Sequence, residues 1–232
     1  MTGILYVIGL PIGNLGDVSD RARDVLRSVD TIFCEDTRVS KKLLAHYDIH
    51  TPCTAYHSYS GFGKTAKAVR LMQGGRDIAL ISDAGTPTIA DPGVKLVRYV
   101  RDTIPDAAIV SIPGPSAVTA ALSVSGAPAS SFVFLGFLPR KKGREKAFQS
   151  IANEDRTVVF YEAPHRLVRA LESLTVHIPE DREVIVVREM TKVYEQSIAG
   201  TAKEVFAHYQ NHPDEVRGEV VVIVSQLSRR SG

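Results

Sequence analysis

In the first half of the chain, short apolar segments alternate with amphipathic segments of helical period. Residues 4–9 are predicted to form a strand, and Ser19 or Asp20 to cap a helix. The apolar positions of that helix fall at i, i+3, i+4 and i+7, at Ala22, Val25, Leu26 and Val29. Further strands are predicted at 31–34, 78–82 and 108–112, and helices at 41–47, from an Asp91-Pro92 N-cap to about residue 101, and after the turn at 113–116. This alternation predicts βαβ units and a mainly parallel sheet.

The second half shows a different pattern. Strands are predicted at 132–138, 157–161, 183–188, 196–199 and 219–224, and helices at 145–152, 165–174 and 201–209. Residues 183–199 are typical of a strand, a polar turn and a second strand, which predicts an antiparallel pair and a mixed sheet. Pro113-Gly114-Pro115 interrupts regular structure between the halves. We therefore predict two α/β lobes, residues 1–113 and 114–232, with a cleft between them.

Composition restricts the class of protein. The 232 residues are 44% apolar and 23% charged, as in soluble globular proteins with a sizeable core. The longest apolar runs, such as residues 220–224, are far shorter than the roughly 20 residues of a membrane span, and the start of the chain lacks the basic leader of a signal peptide. Two cysteines, Cys34 and Cys53, form neither a disulfide framework nor a zinc site by themselves. A cytoplasmic protein without a metal is the prediction.

Positive charge is concentrated in one segment. The net charge is +2, whereas residues 140–146 hold five basic residues and one acidic residue. This local charge of +4 leaves the rest of the chain at −2. Such a run is typical of a phosphate-contacting loop, and equally of a solvated turn with a basic bias.

Two loops after predicted strands have the small residues of a ligand site. Residues 9–16 place glycines in the order G-x-x-x-G-x-x-G, with Glu35 and Asp36 about 20 residues later. That spacing, with a proline in the turn, argues against the G-x-G-x-x-G loop of nicotinamide dehydrogenases. The longer loop 82–93 is rich in small and turn-forming residues, which let a ligand approach the backbone, and it favours ligand binding.

Three more strand ends carry polar or small residues. Residues 112–122 predict a tight turn and a small-residue helix, whose first turn either holds a ligand or packs closely against a neighbour. Residues 161–166 and 188–195 gather ionisable side chains, as in a site at the edge of an open sheet or in surface ion pairs. Motifs of zinc hydrolases, serine hydrolases and Walker ATPases are absent from the sequence.

Taken together, five motifs resemble those of one family. They occur in the order Gly-Leu-Pro-Ile-Gly-Asn-Leu-Gly-Asp, Glu-Asp-Thr-Arg, Ser-Asp-Ala-Gly-Thr-Pro with Asp-Pro-Gly, Pro-Gly-Pro-Ser-Ala, and Tyr-Glu-Ala-Pro-His-Arg. The set closely resembles the bacterial ribosomal RNA small subunit methyltransferase I family, a branch of the tetrapyrrole methylase fold, from about Leu5 to Val224.

The resemblance implies a two-lobed α/β fold with a mainly parallel amino-terminal sheet, a mixed carboxyl-terminal sheet and the cofactor in the cleft between them. It implies S-adenosylmethionine as cofactor, and as substrate the ribose 2′-hydroxyl of cytidine 1402 in the decoding region of 16S rRNA, within the 30S subunit. A homodimer without membrane contact is also implied. The residues that it places at the cofactor are Leu10, Pro11, Asp83, Ala84, Gly85, Thr86, Ile89, Ala90, Ser116, Ala117, Tyr161, Met190, Gly218 and Glu219.

The sequence departs from the pattern in two respects. Many family members continue past the equivalent of Val224 into a small helical extension, whereas this sequence ends at Gly232, which leaves more of the RNA contact to the basic run. The Gly-Asp-Pro and Gly-Arg-Gly-Gly signature of uroporphyrinogen methylases is absent from the sequence. The alternatives that stay open are a methyltransferase of the same fold acting on a tetrapyrrole or another small molecule, and a non-catalytic RNA-binding module.

Methyl transfer to a hydroxyl requires alignment and a base that takes its proton. The candidate bases at predicted strand ends are Glu35, Glu162, His165, Glu189 and Lys192. Glu189 or Lys192 is preferred, and Lys192 qualifies only if burial lowers its pKa. The candidate RNA-binding residues are Arg140, Lys141, Lys142 and Arg144, with Arg38, Lys41 and Lys42 as helpers.

Overall fold

The computed structural model describes residues 2–57 and 59–227. The chain divides into two compact units, Met1–Ser116 and Ala117–Gly232, so the border lies three residues beyond the predicted one at 113/114. The elements of the first unit alternate between strand and helix: β1 Leu5–Ile8, α1 Asp20–Ser28, β2 Thr31–Cys34, α2 Thr37–His46, β3 Cys53–Ala55, α3 Phe62–Gln73, β4 Ile78–Leu80, α4 Val94–Thr103 and β5 Ile109–Ile112. A short 3-10 turn, Leu15–Asp17, precedes α1.

The strands of the first unit form one parallel sheet in the order β3-β2-β4-β1-β5, which confirms the predicted parallel sheet. One face packs against α1 and α2 through side chains such as Leu26 and Leu44. The other face packs against α3 and α4 through Met72 and Leu96. The chain leaves β2 toward one edge of the sheet and the neighbouring β4 toward the other. The carboxyl ends of β2 and β4 therefore form a topological switch point, where open α/β sheets bind ligands.

Two predicted helix starts in this unit are wrong. Helix α2 begins four residues before the predicted position, because the Asp36 side chain accepts a hydrogen bond from the Arg38 N–H and caps the helix. Helix α4 begins at Val94 after Gly93, which has φ of 129°, and not at the Asp91-Pro92 pair. Strand β3 and helix α3 lie in a stretch for which no element was predicted.

The second unit contains α5 Ala117–Ser125, β6 Phe132–Phe137, α6 Arg144–Ala152, β7 Thr157–Glu162, α7 Pro164–His177, β8 Glu183–Arg188, β9 Gln196–Thr201, α8 Ala202–Asn211 and β10 Val220–Val224. Its sheet has the order β6-β7-β10-β8-β9, in which β6 and β7 are parallel and the other pairs are antiparallel. The predicted mixed sheet is therefore confirmed.

The core of the second unit lies between the sheet and helices α6, α7 and α8. Alternate strand residues such as Phe160 and Val222 enter this core beside Phe148 and Leu171. The intervening strand residues point to the opposite face, where α5 contacts β8 and β10. Within the described part of the chain, none of the helices has the length and apolar character needed to cross a membrane.

Candidate active site

The loops that follow β1, β4 and β5 are held together at the carboxyl edge of the first sheet. Leu10 and Gly85 exchange backbone hydrogen bonds of 2.8 and 3.1 Å, which join the first two loops. The Thr86 hydroxyl donates to the Pro115 carbonyl oxygen at 3.1 Å and ties the second loop to the third. Of the residues predicted to contact the cofactor, those in these loops are thus brought to one edge of one unit.

Gly9 and Gly114 allow two of these loops to touch. A Cβ atom on Gly114 would lie 2.5 Å from the Gly9 carbonyl oxygen, and one on Gly9 would lie 2.8 Å from the Gly114 Cα. Both obstacles are backbone atoms, so neither can move aside as a flexible side chain would. These glycines are required for packing of the loops against each other.

The loop between β4 and α4 has a strained backbone. Thr88 and Ala90 have φ of 74° and 61°, a region that costs energy for residues with a Cβ atom. Leu10, Pro11 and Gly85 are buried, Asp83, Ala84 and Thr86 are half-buried, and Ile89 and Ala90 are exposed. Strain of this kind persists where the surroundings impose it, and it is concentrated at ligand sites.

Four carboxylates lie close together at the switch point between β2 and β4, namely Glu35, Asp36, Asp83 and Asp91. Asp83 accepts a hydrogen bond from the Asp36 N–H at 3.0 Å. Burial, together with the charges of Asp83, Asp91 and Asp36, raises the pKa of the Glu35 carboxyl. Burial and Asp83 also raise the pKa of Asp91, against a hydrogen bond from Ser82. This surplus of negative charge favours a positively charged ligand group.

The four carboxylates differ in their partners. The Arg38 side chain binds Asp36 at 2.7 Å and, together with backbone N–H groups, lowers the pKa of Asp36 to about 2. Glu35 has no ion-pair partner among the described residues. Because a carboxyl of raised pKa holds a proton more tightly, Glu35 is a stronger proton acceptor than an ordinary glutamate.

In the second unit, five predicted site residues lie together where β8 ends and β10 begins. Glu189 Oε1 accepts hydrogen bonds from Lys192 Nζ and from the Glu219 N–H, both at 2.9 Å. Lys192 Nζ also lies 3.2 Å from Glu219 Oε2. Gly218 leaves room for this arrangement, since a Cβ atom there would lie 2.3 Å from Glu189 Cδ. Buried Met190 follows Glu189 directly.

The charges in this group determine its protonation. Burial opposes ionisation of Glu189, but the Glu219 N–H and Lys192 outweigh it and lower the pKa of Glu189. Burial likewise opposes the charge of Lys192, yet Glu189 and Glu219 raise the pKa of Lys192. The condition under which Lys192 could act as a base, a pKa lowered by burial, is therefore not met. The group is an ion pair with a weakly basic carboxylate.

Glu162, another predicted base, is fully buried and serves a structural purpose. Its side chain is 0% exposed, with Oε2 2.7 Å from Arg144 Nη2 and Oε1 2.5 Å from Arg166 Nη2. Burial between two guanidinium groups excludes Glu162 from direct contact with a substrate. The same contact makes Arg144, which was predicted to bind RNA, a half-buried partner of Glu162. His165, by contrast, is exposed in the first turn of α7.

The other predicted RNA-binding residues are exposed. Arg140, Lys141 and Lys142 lie on the loop between β6 and α6, with no ion-pair partner among the described residues. Lys41 and Lys42 are exposed on α2 in the first unit, where the exposed Arg38 is paired with Asp36. The basic run therefore presents three free positive charges at one loop, a smaller set than predicted.

Sequence reasoning missed an aromatic group around Tyr161. The ring centroids of Phe134 and Phe137 lie 5.0 and 5.3 Å from that of Tyr161. The group depends on a β-bulge in β6, and its only sequence signal is the Phe-x-x-Phe spacing beside a glycine. Ser116 and Ala117, which were predicted to contact the cofactor, are half-buried at the border of the units, in the last residues before α5 and its first turn.

Comparison with known proteins places the chain in a family. The model of the Tetrapyrrole (Corrin/Porphyrin) Methylases matches residues 4–205. Two relatives are named ribosomal RNA small subunit methyltransferase I. The one from Synechocystis sp. is 43% identical over 96% of this chain and 79% of its own length, and the one from Bacillus subtilis is 44% identical over 96% and 75%.

Solved structures show the same fold at low identity. A cobalt precorrin-4 methyltransferase of cobalamin biosynthesis superposes with a TM-score of 0.68 at 16% identity, covering 95% of this chain and 94% of that one. The uroporphyrin-III-C-methyltransferase of Thermus thermophilus gives 0.63 at 18%, covering 96% and 94%. With relatives above 40% identity along nearly its whole length, the chain belongs to the ribosomal RNA small subunit methyltransferase I family, within the tetrapyrrole methylases.

Proposed function

We propose that this protein transfers a methyl group from S-adenosylmethionine to 16S rRNA, at the ribose 2′-hydroxyl of cytidine 1402. The observation that carries the proposal is the 43–44% identity with relatives named small-subunit rRNA methyltransferases over 96% of the chain. The nucleotide and the ribose oxygen rest on the resemblance of the five motifs.

The loops of the first unit fit the proposed cofactor. The cofactor supplies a methyl group on a sulfonium, which is already activated for transfer. Glu35, Asp83 and Asp91 provide negative charge that favours its positive groups, while Ala84 and Gly85 allow close approach to the backbone. Tyr161, Met190, Gly218 and Glu219 of the second unit stay predicted contacts of the cofactor.

Glu35 is the proposed base for the ribose hydroxyl. Its raised pKa makes it a stronger proton acceptor than an ordinary glutamate, and no described cation neutralises it. This choice replaces the preference for Glu189 or Lys192, which hold each other in an ion pair with the pKa of Glu189 lowered and that of Lys192 raised.

Arg140, Lys141 and Lys142 are proposed to contact phosphates of the RNA, as free charges on one loop. A 30S particle as the substrate, a homodimer and a cytoplasmic location are part of the same proposal. They are supported by the resemblance, and the free thiols of Cys34 and Cys53 agree with a reducing compartment.

Replacement of Glu35 by glutamine tests the proposed chemistry. We expect Glu35→Gln to lower kcat about 100-fold or more, because a general base contributes on the order of 10² to 10⁴ in rate. Wild-type kcat should rise with pH as Glu35 ionises. Since the pKa of Glu35 is raised, this rise should lie at higher pH than for an ordinary glutamate, and the variant should lack it.

The measurement is tritiated methyl transfer to 30S subunits that lack the modification, as a function of pH, beside calorimetric titration of the cofactor. Glu172→Gln, on the exposed surface of α7, is the matched control and should keep the wild-type rate. A Glu35→Gln protein with near wild-type kcat and an unchanged pH profile would remove Glu35 from the mechanism. Cofactor binding without transfer to any RNA would refute the proposed substrate.

A further inference from the structure

Strand β6 contains a bulge that re-aims one aromatic side chain. Phe134 pairs with Val159 of β7, and Phe137 pairs with Tyr161. Between these two pairs β6 advances by three residues, whereas β7 advances by two. Gly136 takes up the extra residue with φ of 62°. In a regular strand, residues three apart point to opposite faces. Here, Phe134 and Phe137 both reach the ring of Tyr161.

The bulge leaves Phe137 as a supported but accessible ring. Its centroid lies 5.3 Å from that of Tyr161, at an interplanar angle of 59°, and the ring of Phe134 packs edge-on against Tyr161 at 5.0 Å. Phe137 is nevertheless 59% exposed, on a strand at the edge of the sheet. The ring of Phe137 is thus supported by Tyr161, which itself packs against Phe134, while much of the surface of Phe137 faces solvent.

The basic loop begins directly after this ring, and two arginines fix the start of the loop. Arg166 Nη1 donates to the Leu138 carbonyl oxygen at 3.3 Å, and Arg144 Nη1 donates to the Pro139 carbonyl oxygen at 3.2 Å. Both guanidinium groups also bind the buried Glu162. The exposed charges at 140–142 therefore start from an anchored backbone, three residues from Phe137.

We propose that Phe137 is a stacking surface for an unpaired base of the RNA substrate, whose flanking phosphates are bound by Arg140, Lys141 and Lys142. Proteins recognise single-stranded RNA by stacking bases on aromatic rings beside basic side chains. An apolar partner would gain nothing from three adjacent positive charges, whereas a nucleotide matches both the ring and the charges. The inference rests on the proposed function, since it assumes an RNA substrate.

A stacking ring would also help a ribose methyltransferase to reach the 2′-hydroxyl of its substrate. A 2′-hydroxyl becomes accessible when its nucleotide, or a neighbour, leaves the helical stack, and unstacking costs a few kcal/mol. Stacking on Phe137 replaces part of the lost base–base contact. An aromatic side chain at this position therefore stabilises the unstacked nucleotide, and an aliphatic one does not.

Three substitutions in β6 test this role. Phe137→Ala removes the ring, Phe137→Trp retains a ring, and Phe132→Ala removes a partly exposed phenylalanine at the opposite end of the strand. The readouts are the KM for 30S subunits lacking the modification, the dissociation constant of the cofactor from calorimetry, and the mass in solution from light scattering.

We expect Phe137→Ala to raise the KM for 30S subunits about tenfold, which corresponds to about 1.4 kcal/mol, within the range for one stacked base. Cofactor affinity and solution mass should be unchanged, Phe137→Trp should restore the KM, and Phe132→Ala should leave it near the wild-type value. An active Phe137→Ala protein with a wild-type KM would overturn the stacking role alone. A change of solution mass in Phe137→Ala would overturn it in favour of a contact between copies of the chain. Failure of the wild-type protein to methylate any RNA would instead overturn the proposed function on which the inference rests.

Discussion

Replacement of Glu162 by glutamine should lower the free energy of unfolding more than replacement of any exposed charged residue. The carboxylate is fully buried and contacts Arg144 at 2.7 Å and Arg166 at 2.5 Å, whose side chains are only 17% and 15% exposed. Its Oε1 atom also accepts a hydrogen bond from the Ala163 N–H at 2.8 Å. Neutralising the carboxylate leaves two guanidinium groups without their negative partner, at a place that water hardly reaches.

The expected cost follows from this geometry. Breaking a buried ion pair by removing one partner costs about 3–5 kcal/mol, because an uncompensated charge stays buried. The amide oxygen of glutamine still accepts hydrogen bonds, so the cost of Glu162→Gln should lie near the lower end of this range, at about 3 kcal/mol. If so, adding Arg144→Met should recover part of the loss, since it removes one of the two stranded charges.

Urea unfolding followed by circular dichroism measures the effect. Glu154→Gln is the matched control, because Glu154 binds Arg156 at 2.7 Å in an ion pair whose arginine is half exposed, and its loss should shift the midpoint little. A Glu162→Gln protein that unfolds within about 1 kcal/mol of the wild type would refute the reasoning. It would show that the two guanidinium groups are satisfied without Glu162.

Two further substitutions test the loops. Gly114→Ala should destabilise the first unit by about 1–3 kcal/mol and weaken cofactor binding, because its Cβ would lie 2.5 Å from the Gly9 carbonyl oxygen. An unchanged melting temperature and an unchanged cofactor affinity would show that the two loops are not in contact. Lys141→Gln with Lys142→Gln should flatten the plot of log affinity for RNA against log salt by about 1.4, since each phosphate contact with a single strand contributes about 0.7 to the slope. Filter binding of 30S subunits at several salt concentrations measures this slope, and an unchanged slope would exclude both lysines from phosphate contact.

Much of the secondary structure was predictable from local patterns. Strands β2 and β8 have the predicted bounds, and of the two predicted N-caps of α1, Ser19 and Asp20, it is Ser19 whose side chain caps the helix. Helix α3 was missed although its buried residues follow the period i, i+3, i+4 and i+7, at Thr65, Ala68, Val69 and Met72. Two of these four buried positions are a threonine and an alanine, so the hydrophobicity of the sequence gives only a weak indication of this helix.

The candidate site was predictable only in part, because long-range contacts decide the state of each ionisable group. That Glu162 is buried between two arginines follows from the packing of α6 and α7, which sequence spacing does not give. The same limit applies to Lys192, whose pKa depends on Glu219, 27 residues away in the chain. Phe137 escaped notice because only the bulge brings it to the face of Tyr161.

Mapping the methylated nucleotide tests the central claim most directly. The protein would be incubated with S-adenosylmethionine and 30S subunits lacking the modification, and the 16S rRNA digested with nuclease and analysed by mass spectrometry. The account predicts one new methyl group per particle, on the ribose of cytidine 1402. A methyl group on a base, at several nucleotides or on no RNA at all, with the cofactor still bound, would contradict it.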